Sequence, residues 1–190
     1  MKMKKLLVLF CGLLLSVNAH ARFVGDVKVP DTAQVGNATL QLNGAGTRVR
    51  VIIDVYVAAL YLGKTTNSGN AVLADAGEKR VALNMLYGMK SEKLLGAFKD
   101  AIEANHNATE LAAIDAGMQK FYAIFDSVSG VSPGDVINLD YLPAVGTKVS
   151  INGKERGVVA GADINRALLK IWLGENPVQD DLKKDLLGIK

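Results

Sequence analysis

The chain has 190 residues, with 22 basic and 19 acidic side chains, two histidines and one cysteine. The basic excess lies at the start, where Lys2, Lys4 and Lys5 occur in a stretch of 21 residues without an acid; removing these three leaves 19 bases against 19 acids. A neutral body argues against nucleic-acid binding, which depends on dense phosphate neutralisation. One remaining histidine, His106, and no cysteine beyond Cys11 exclude the usual zinc sets and any disulfide in that body.

The first 21 residues predict a secretory signal peptide: a lysine-rich start, an apolar run from Leu6 to Val17, and Ala19-His20-Ala21 as a small-x-small cleavage site. Cys11 follows bulky Phe10 inside the apolar run, which is no lipoprotein site. Cleavage after Ala21 leaves residues 22–190 as one expected domain, with a periplasmic destination. No later apolar run is long enough to span a bilayer without a charge, so no integral membrane segment is expected after cleavage.

In chain order, "RFVGDVKV" and "ATLQLNG" read as short strands separated by "PDTAQVGN", whose Pro30, Asp31, Gly36 and Asn37 supply turn chemistry. The segment from Arg48 to Ala59 alternates. Val49, Val51, Ile53, Val55, Val57 and Ala59 fall on one parity and predict a core face; Arg48, Arg50, Ile52, Asp54, Tyr56 and Ala58 form a mixed face. "KRVALNML" at 79–86 repeats the pattern with Val81, Leu83 and Met85. From Ser91, read as an N-cap, Leu94, Leu95, Phe98, Ala101 and Ile102 trace a helical face. A longer helix follows Asn107, with Glu110 completing a capping box and Leu111, Ile114, Met118, Phe121, Phe125 and Val128 at spacings of three and four.

Three further strands are predicted in "VINLDYL", "TKVSING" and "RGVVAG", the last two joined by the tight-turn pair Asn152-Gly153. A helix starting at Asp163 presents Ile164, Ala167, Leu168, Ile171 and Trp172 and stops at Gly174, and a short helix follows Pro177. Strands, two helices, strands and helices again describe an α+β domain with a mostly antiparallel sheet covered on one face.

Several motifs tempt and fail. "GVSPG" at 130–134 fits a hydrolase nucleophile elbow, but Pro133 lacks the N–H wanted for an oxyanion hole, and the segment precedes a strand. "GKTT" at 63–66 would need a glycine at position 58, which is Ala58, to be a phosphate-binding loop. "GAGT" lacks a third glycine for dinucleotide binding. All three read as turns, and His106 reads as a solvated loop residue. No cofactor or metal motif remains.

"LNGAGTR", "VYVAALYLGK", "SEKLLGAF" and "GADINRALLKIWLGENP", in that order along the chain, resemble the chalcone isomerase-like superfamily, specifically its bacterial exported branch. The resemblance implies an open-faced β-sandwich: a large antiparallel sheet, a helical layer against it and a ligand cleft between. Some members close a chalcone ring without a cofactor; others bind fatty acids, with an arginine and a tyrosine on the carboxylate. Matching motifs puts the arginine at Arg48 and the second polar ligand at Tyr56. The remaining isomerase positions become Lys90, Ala97 and Ile171, so two of three polar groups are lost.

The expected function is therefore a non-catalytic periplasmic binding protein for a fatty acid or similar small amphipathic carboxylate. Arg48 would be the guanidinium fork, Tyr56 the phenol and Lys90, if turned inward, a reinforcement, with residues of the helices at 91 and 108 lining the cleft. The alternatives are a cofactor-free intramolecular lyase or isomerase of an unsaturated carbonyl compound, and a partner-binding module without a cleft. Geometry divides them. In one straight strand, eight steps separate Arg48 from Tyr56 by roughly 27 Å, too far to share a carboxylate. The relatives carry extra residues there and fold the segment back, but "VRVIID" lacks good turn residues. In the straight arrangement Arg48 would pair with Asp54 or another acid, and Tyr56 would pack an apolar wall.

Overall fold

The computed structural model describes residues 21–189. The expected signal peptide, apart from Ala21, lies outside them. Seven antiparallel strands form the main sheet in the order β11-β10-β9-β6-β5-β4-β3. These are β3 (Thr32–Val35), β4 (Ala38–Arg50), β5 (Ile53–Leu62), β6 (Lys79–Met85), β9 (Val136–Leu142), β10 (Gly146–Ile151) and β11 (Lys154–Val159). The hairpin of β1 (Ala21–Val24) and β2 (Val27–Pro30) and the small pair of β7 (Met89–Lys90) and β8 (Gly130–Val131) stand apart. The helices are α1 (Gly69–Ala74), α2 (Ser91–Glu103), α3 (Ala108–Asp126), α4 (Ala162–Leu173) and α5 (Asp180–Leu186). This is the expected α+β architecture.

The sheet is buried on both sides, unequally. Its helical face carries Tyr56, Ala58, Leu60, Leu62, Leu83, Ile137 and Val149 into one large core with α2, α3 and α4. The opposite face contributes Leu40, Leu42, Val57, Ala59 and Tyr61 to a smaller cluster with Val29 of β2. Phe98, Phe121, Phe125 and Trp172 fill the large core through ring contacts with centroids 5.1–6.4 Å apart. Such edge-to-face and tilted pairs suit the ring quadrupoles.

Several local signals act as expected. Asn107 accepts from the Glu110 amide while Glu110 accepts from the Asn107 amide, the full capping box. Asn152 and Gly153 both take positive φ, as a two-residue type I′ turn requires. The second part of "GVSPG" turns through Asp135, whose carboxylate accepts from the Ser132 amide, while Gly130–Val131 pair as β8.

Others are corrected. Ser91 is not the N-cap of α2; its hydroxyl donates to the Phe125 carbonyl at 2.9 Å and ties α2 to the end of α3. His106 is half-buried, its Nδ1 2.7 Å from the Ile102 carbonyl at the end of α2. "PDTAQVGN" contains strand β3 as well as turns, because Thr32–Val35 pair along β4. Helix α1 lacked a helical period long enough to read.

The largest correction concerns "NGAGT". It is no turn but the middle of β4, and it carries a bulge: Leu42 faces Tyr61 while Gly44 faces Leu60, leaving Asn43 extra. One inserted residue reverses which parity faces which side. Leu40 and Leu42 therefore face the smaller cluster, and Gly44, Gly46 and Arg48 face the helices. The glycines make room for α5 to lie on the strand. A Cβ on Gly44 would come within 2.0 Å of the Asp185 carbonyl oxygen, and one on Gly46 within 2.3 Å of the Asp185 carboxylate. Asn43 secures the same contact by donating to the Leu186 carbonyl and accepting from the Thr66 amide.

Candidate functional site

Strand β4 ends at Arg50 and β5 begins at Ile53, so Val51 and Ile52 turn the chain back on itself. The segment read as one alternating strand is a hairpin. Val49, Val51 and Ile53 do not enter the core as that alternation predicted; they lie exposed at its tip. Beyond the tip the faces exchange, and Tyr56, Ala58 and Leu60 enter the main core.

Folding back brings Arg48 opposite Tyr56 as direct cross-strand partners. Facing residues of an antiparallel pair have Cβ atoms about 5 Å apart, so the separation that forbade a shared ligand disappears. A second bulge follows at once: Val49 pairs with Asp54, leaving Val55 unmatched. The Val55 carbonyl accepts instead from the amides of Leu86 and Tyr87. The bulge allows consecutive Val55 and Tyr56 to border the same hollow.

That hollow is a cleft of about 750 Å³ between the hairpin end of the sheet and the helices. This falls in the usual range for small-molecule sites. Its apolar walls come from Ile53 and Val55 of β5, Met89, Leu94 and Phe98 around α2, Ile171 of α4 and Val178 after it. The polar groups of its lining are Arg48, Arg50, Tyr56, Tyr87, Lys93, Asp100 and Asn176. Helix α3, expected to line the cleft, contributes none of its lining and packs the core instead.

Tyr56 is buried, and its hydroxyl lies 3.0 Å from Nε1 of buried Trp172. An indole nitrogen only donates, so the phenol oxygen is the acceptor. The phenol proton has no protein acceptor among the described residues and remains free for a ligand. Burial pushes the Tyr56 pKa up to about 12, against the smaller opposing effects of the Trp172 hydrogen bond and the Arg48 charge. At neutral pH the group is a donor and not a base.

Arg48 is half-buried. One of its terminal nitrogens, Nη1, donates to the Val49 carbonyl and to Oε1 of Gln179, 3.2 Å away. The same Gln179 oxygen accepts from the Val49 amide at 2.8 Å, and its Nε2 donates to the Thr47 carbonyl. Nε and Nη2 have no protein partner, and Arg48 makes no ion pair, among the described residues. The expected alternative of an Arg48–Asp54 bridge is not formed. One edge of the guanidinium anchors the side chain and the other is available to an anion.

Gln179 stands immediately before α5, the helix seated on Gly44 and Gly46. The gap in β4 thus determines where the residue that holds Arg48 stands. The preceding loop is held by Asn105 at the end of α2, which donates to the Asn176 carbonyl at 2.7 Å and accepts from its amide at 3.0 Å. This contact places Asn176, Pro177 and Val178 over the cleft.

The structure therefore brings Arg48 and Tyr56 together. Lys90 is exposed and does not border the cleft; Lys93, in the first turn of α2, does. Sequence reasoning missed Trp172, Gln179, Tyr87 and Lys93. Only Trp172 carried a usable signal, because a tryptophan on a buried helical face needs an acceptor for its N–H. Gln179 is linked to the site through a contact across 131 positions.

Residues 21–188 match the family model described as chalcone isomerase-like, and the chain belongs to that family. Among solved structures it is similar to a fatty-acid binding protein of Arabidopsis thaliana. The TM-score is 0.66 at 18% sequence identity, covering 88% of this chain and 96% of that one. At that identity the likeness speaks for the fold. No curated protein sequence matches the chain significantly.

Proposed function

We propose that this member of the chalcone isomerase-like family is a non-catalytic binding protein for a fatty acid or a similar small amphipathic carboxylate, acting in the periplasm after removal of residues 1–21. The observation that carries the reading is the pairing of Arg48 with Tyr56 in the lining of an apolar cleft, each with donors left free. A carboxylate would accept from the unused edge of the guanidinium and from the phenol, while the acyl chain lies along Ile53, Val55, Met89, Leu94 and Val178. The related fold of a fatty-acid binding protein supports the choice of ligand. The signal peptide expected over residues 1–21 supports the compartment.

Chemistry at the other family positions favours binding over ring closure. Ala97 and Ile171, where the resemblance puts polar isomerase residues, both border the cleft and offer no directed donor to a developing enolate. Tyr56, held neutral, supplies a hydrogen bond and no phenolate.

The test is native mass spectrometry on protein purified without delipidation, followed by titration with a long-chain fatty acid. Bound mass of lipid size is expected, with affinity reduced about 10- to 100-fold in Arg48→Ala, the loss typical of a charge-assisted hydrogen-bonded pair. Protein that carries nothing and ignores added fatty acid would overturn the reading.

A further inference from the structure

The hairpin tip beside the cleft is unusual for a soluble surface. Val51 is 92% exposed and Ile52 90%, and Val49 and Ile53 on either side are exposed too. Tyr87, exposed and bonded through its amide to Val55, borders the same opening. These are five of the nine exposed large apolar side chains among the described residues. Scattered singly they would need no explanation; gathered at one hairpin tip, with Ile53 and Tyr87 reaching the cleft, they do.

The backbone adds a second, independent observation. Val51 sits at φ 61°. A β-branched residue is strained there, and a two-residue turn with positive φ at its first central position ordinarily takes glycine. Nothing in the folding of the hairpin rewards valine at a fully solvated position. Strain kept without a packing return points to function.

Charge indicates the partner. Arg48, Arg50 and Lys93 stand around the opening, against the acids Asp54 and Asp100. Arg50 is exposed and makes no ion pair among the described residues. A tip of a few apolar side chains is too small for a stable protein interface. A second copy docked symmetrically would also set Arg50 near its own counterpart. A lipid surface suits both features: side chains enter the boundary between headgroups and acyl chains, while arginines meet phosphates.

We propose that the β4–β5 tip docks on an anionic bilayer, with Val51 and Ile52 inserted and Arg50 on lipid phosphates, so that the cleft mouth faces the membrane and an acyl chain passes between them without crossing water. The transfer step rests on the proposed carboxylate site, whereas the docking does not.

Two double variants test it: Val51→Asp with Ile52→Asp, and Val51→Gly with Ile52→Asn, the second of which suits the turn and guards against misfolding. Co-sedimentation uses vesicles of phosphatidylglycerol with phosphatidylethanolamine, and phosphatidylcholine vesicles as the neutral control. Fatty-acid affinity is measured separately in lipid-free solution. The unaltered protein is expected to favour anionic vesicles. Both variants should need about tenfold more lipid for the same binding while keeping their fatty-acid affinity. Equal vesicle binding by protein and variants, or no preference for anionic lipid, overturns the proposal. So does a concentration-dependent dimer in ultracentrifugation that both variants abolish, which would assign the tip to a second copy. Vesicle binding that falls in the variants, together with no fatty-acid affinity in any of the proteins, would retain the docking and remove the carboxylate site.

Discussion

Two parts of one sheet face have opposite characters. In the core with Ile137 of β9 and Val149 of β10, the space under the helices is filled by Phe121, Phe125 and Trp172, and Phe98 packs on all three while also walling the cleft. Toward the β4–β5 tip, the same layers part and leave a cleft lined in part by cations and phenols. Trp172 joins the two, packing its ring against Phe98 and donating its N–H to Tyr56. Close packing fixes the helices so firmly that a gap can persist beside them; a cleft of this size would collapse between mobile walls. The filled half carries the stability, and the hollow half uses the rigidity.

Perturbing the filled half should have the largest effect. Phe121 is fully buried at the centre of the ring cluster, and Phe121→Ala is expected to destabilise the fold by about 3–5 kcal/mol in denaturant titration. Molecules that remain folded should still bind fatty acid, since Phe121 does not border the cleft. Loss of affinity at full folding would mean that the halves are not separable in this way.

Gly44→Ala probes the junction through α5. The new methyl group meets backbone, not a flexible side chain, so α5 must shift, at a cost of about 1–3 kcal/mol. Gln179 moves with it. Fatty-acid affinity should fall in the same variant although no cleft residue has changed, and heteronuclear NMR should show altered shifts at Arg48. An unchanged affinity would show that Gln179 does not position the guanidinium.

Tyr56→Phe is the mildest change and touches both halves. It removes the free donor and leaves the buried Trp172 N–H without an acceptor, for an expected stability loss of about 1–2 kcal/mol at neutral pH. Its pH signature has a definite sign. A phenol whose pKa is raised from 10.0 to about 12 on folding contributes stability that is complete below pH 10 and declines as pH rises toward 12. The variant should decline less over that window, although not to zero, because burial also raises Tyr61 to about 12. A pH profile identical to that of the unaltered protein would place the Tyr56 phenol in water.

Much of the architecture was legible in the chain. Helix α3 was written in its capping box and in Ile114, Met118, Phe121 and Phe125; the β10–β11 turn was written in Asn152-Gly153. Those signals are local, and local backbone chemistry suffices to read them. Arg48 and Tyr56 were named through family resemblance, while the residues alone left their meeting undecided. Val51 and Ile52 look like strand interior, and a turn built on a strained valine gives no sign of itself.

What the sequence settled by itself was the α+β class and the apolar faces of the long helices, because hydrophobic period and capping act over a few residues. The tertiary structure alone decided that Asn43 is a bulge, that Gly44 and Gly46 are a seat for α5, and that Gln179, Trp172 and Lys93 belong to the site. Each depends on contacts between segments far apart in the chain, where a shift of one residue in register exchanges the two faces of a strand.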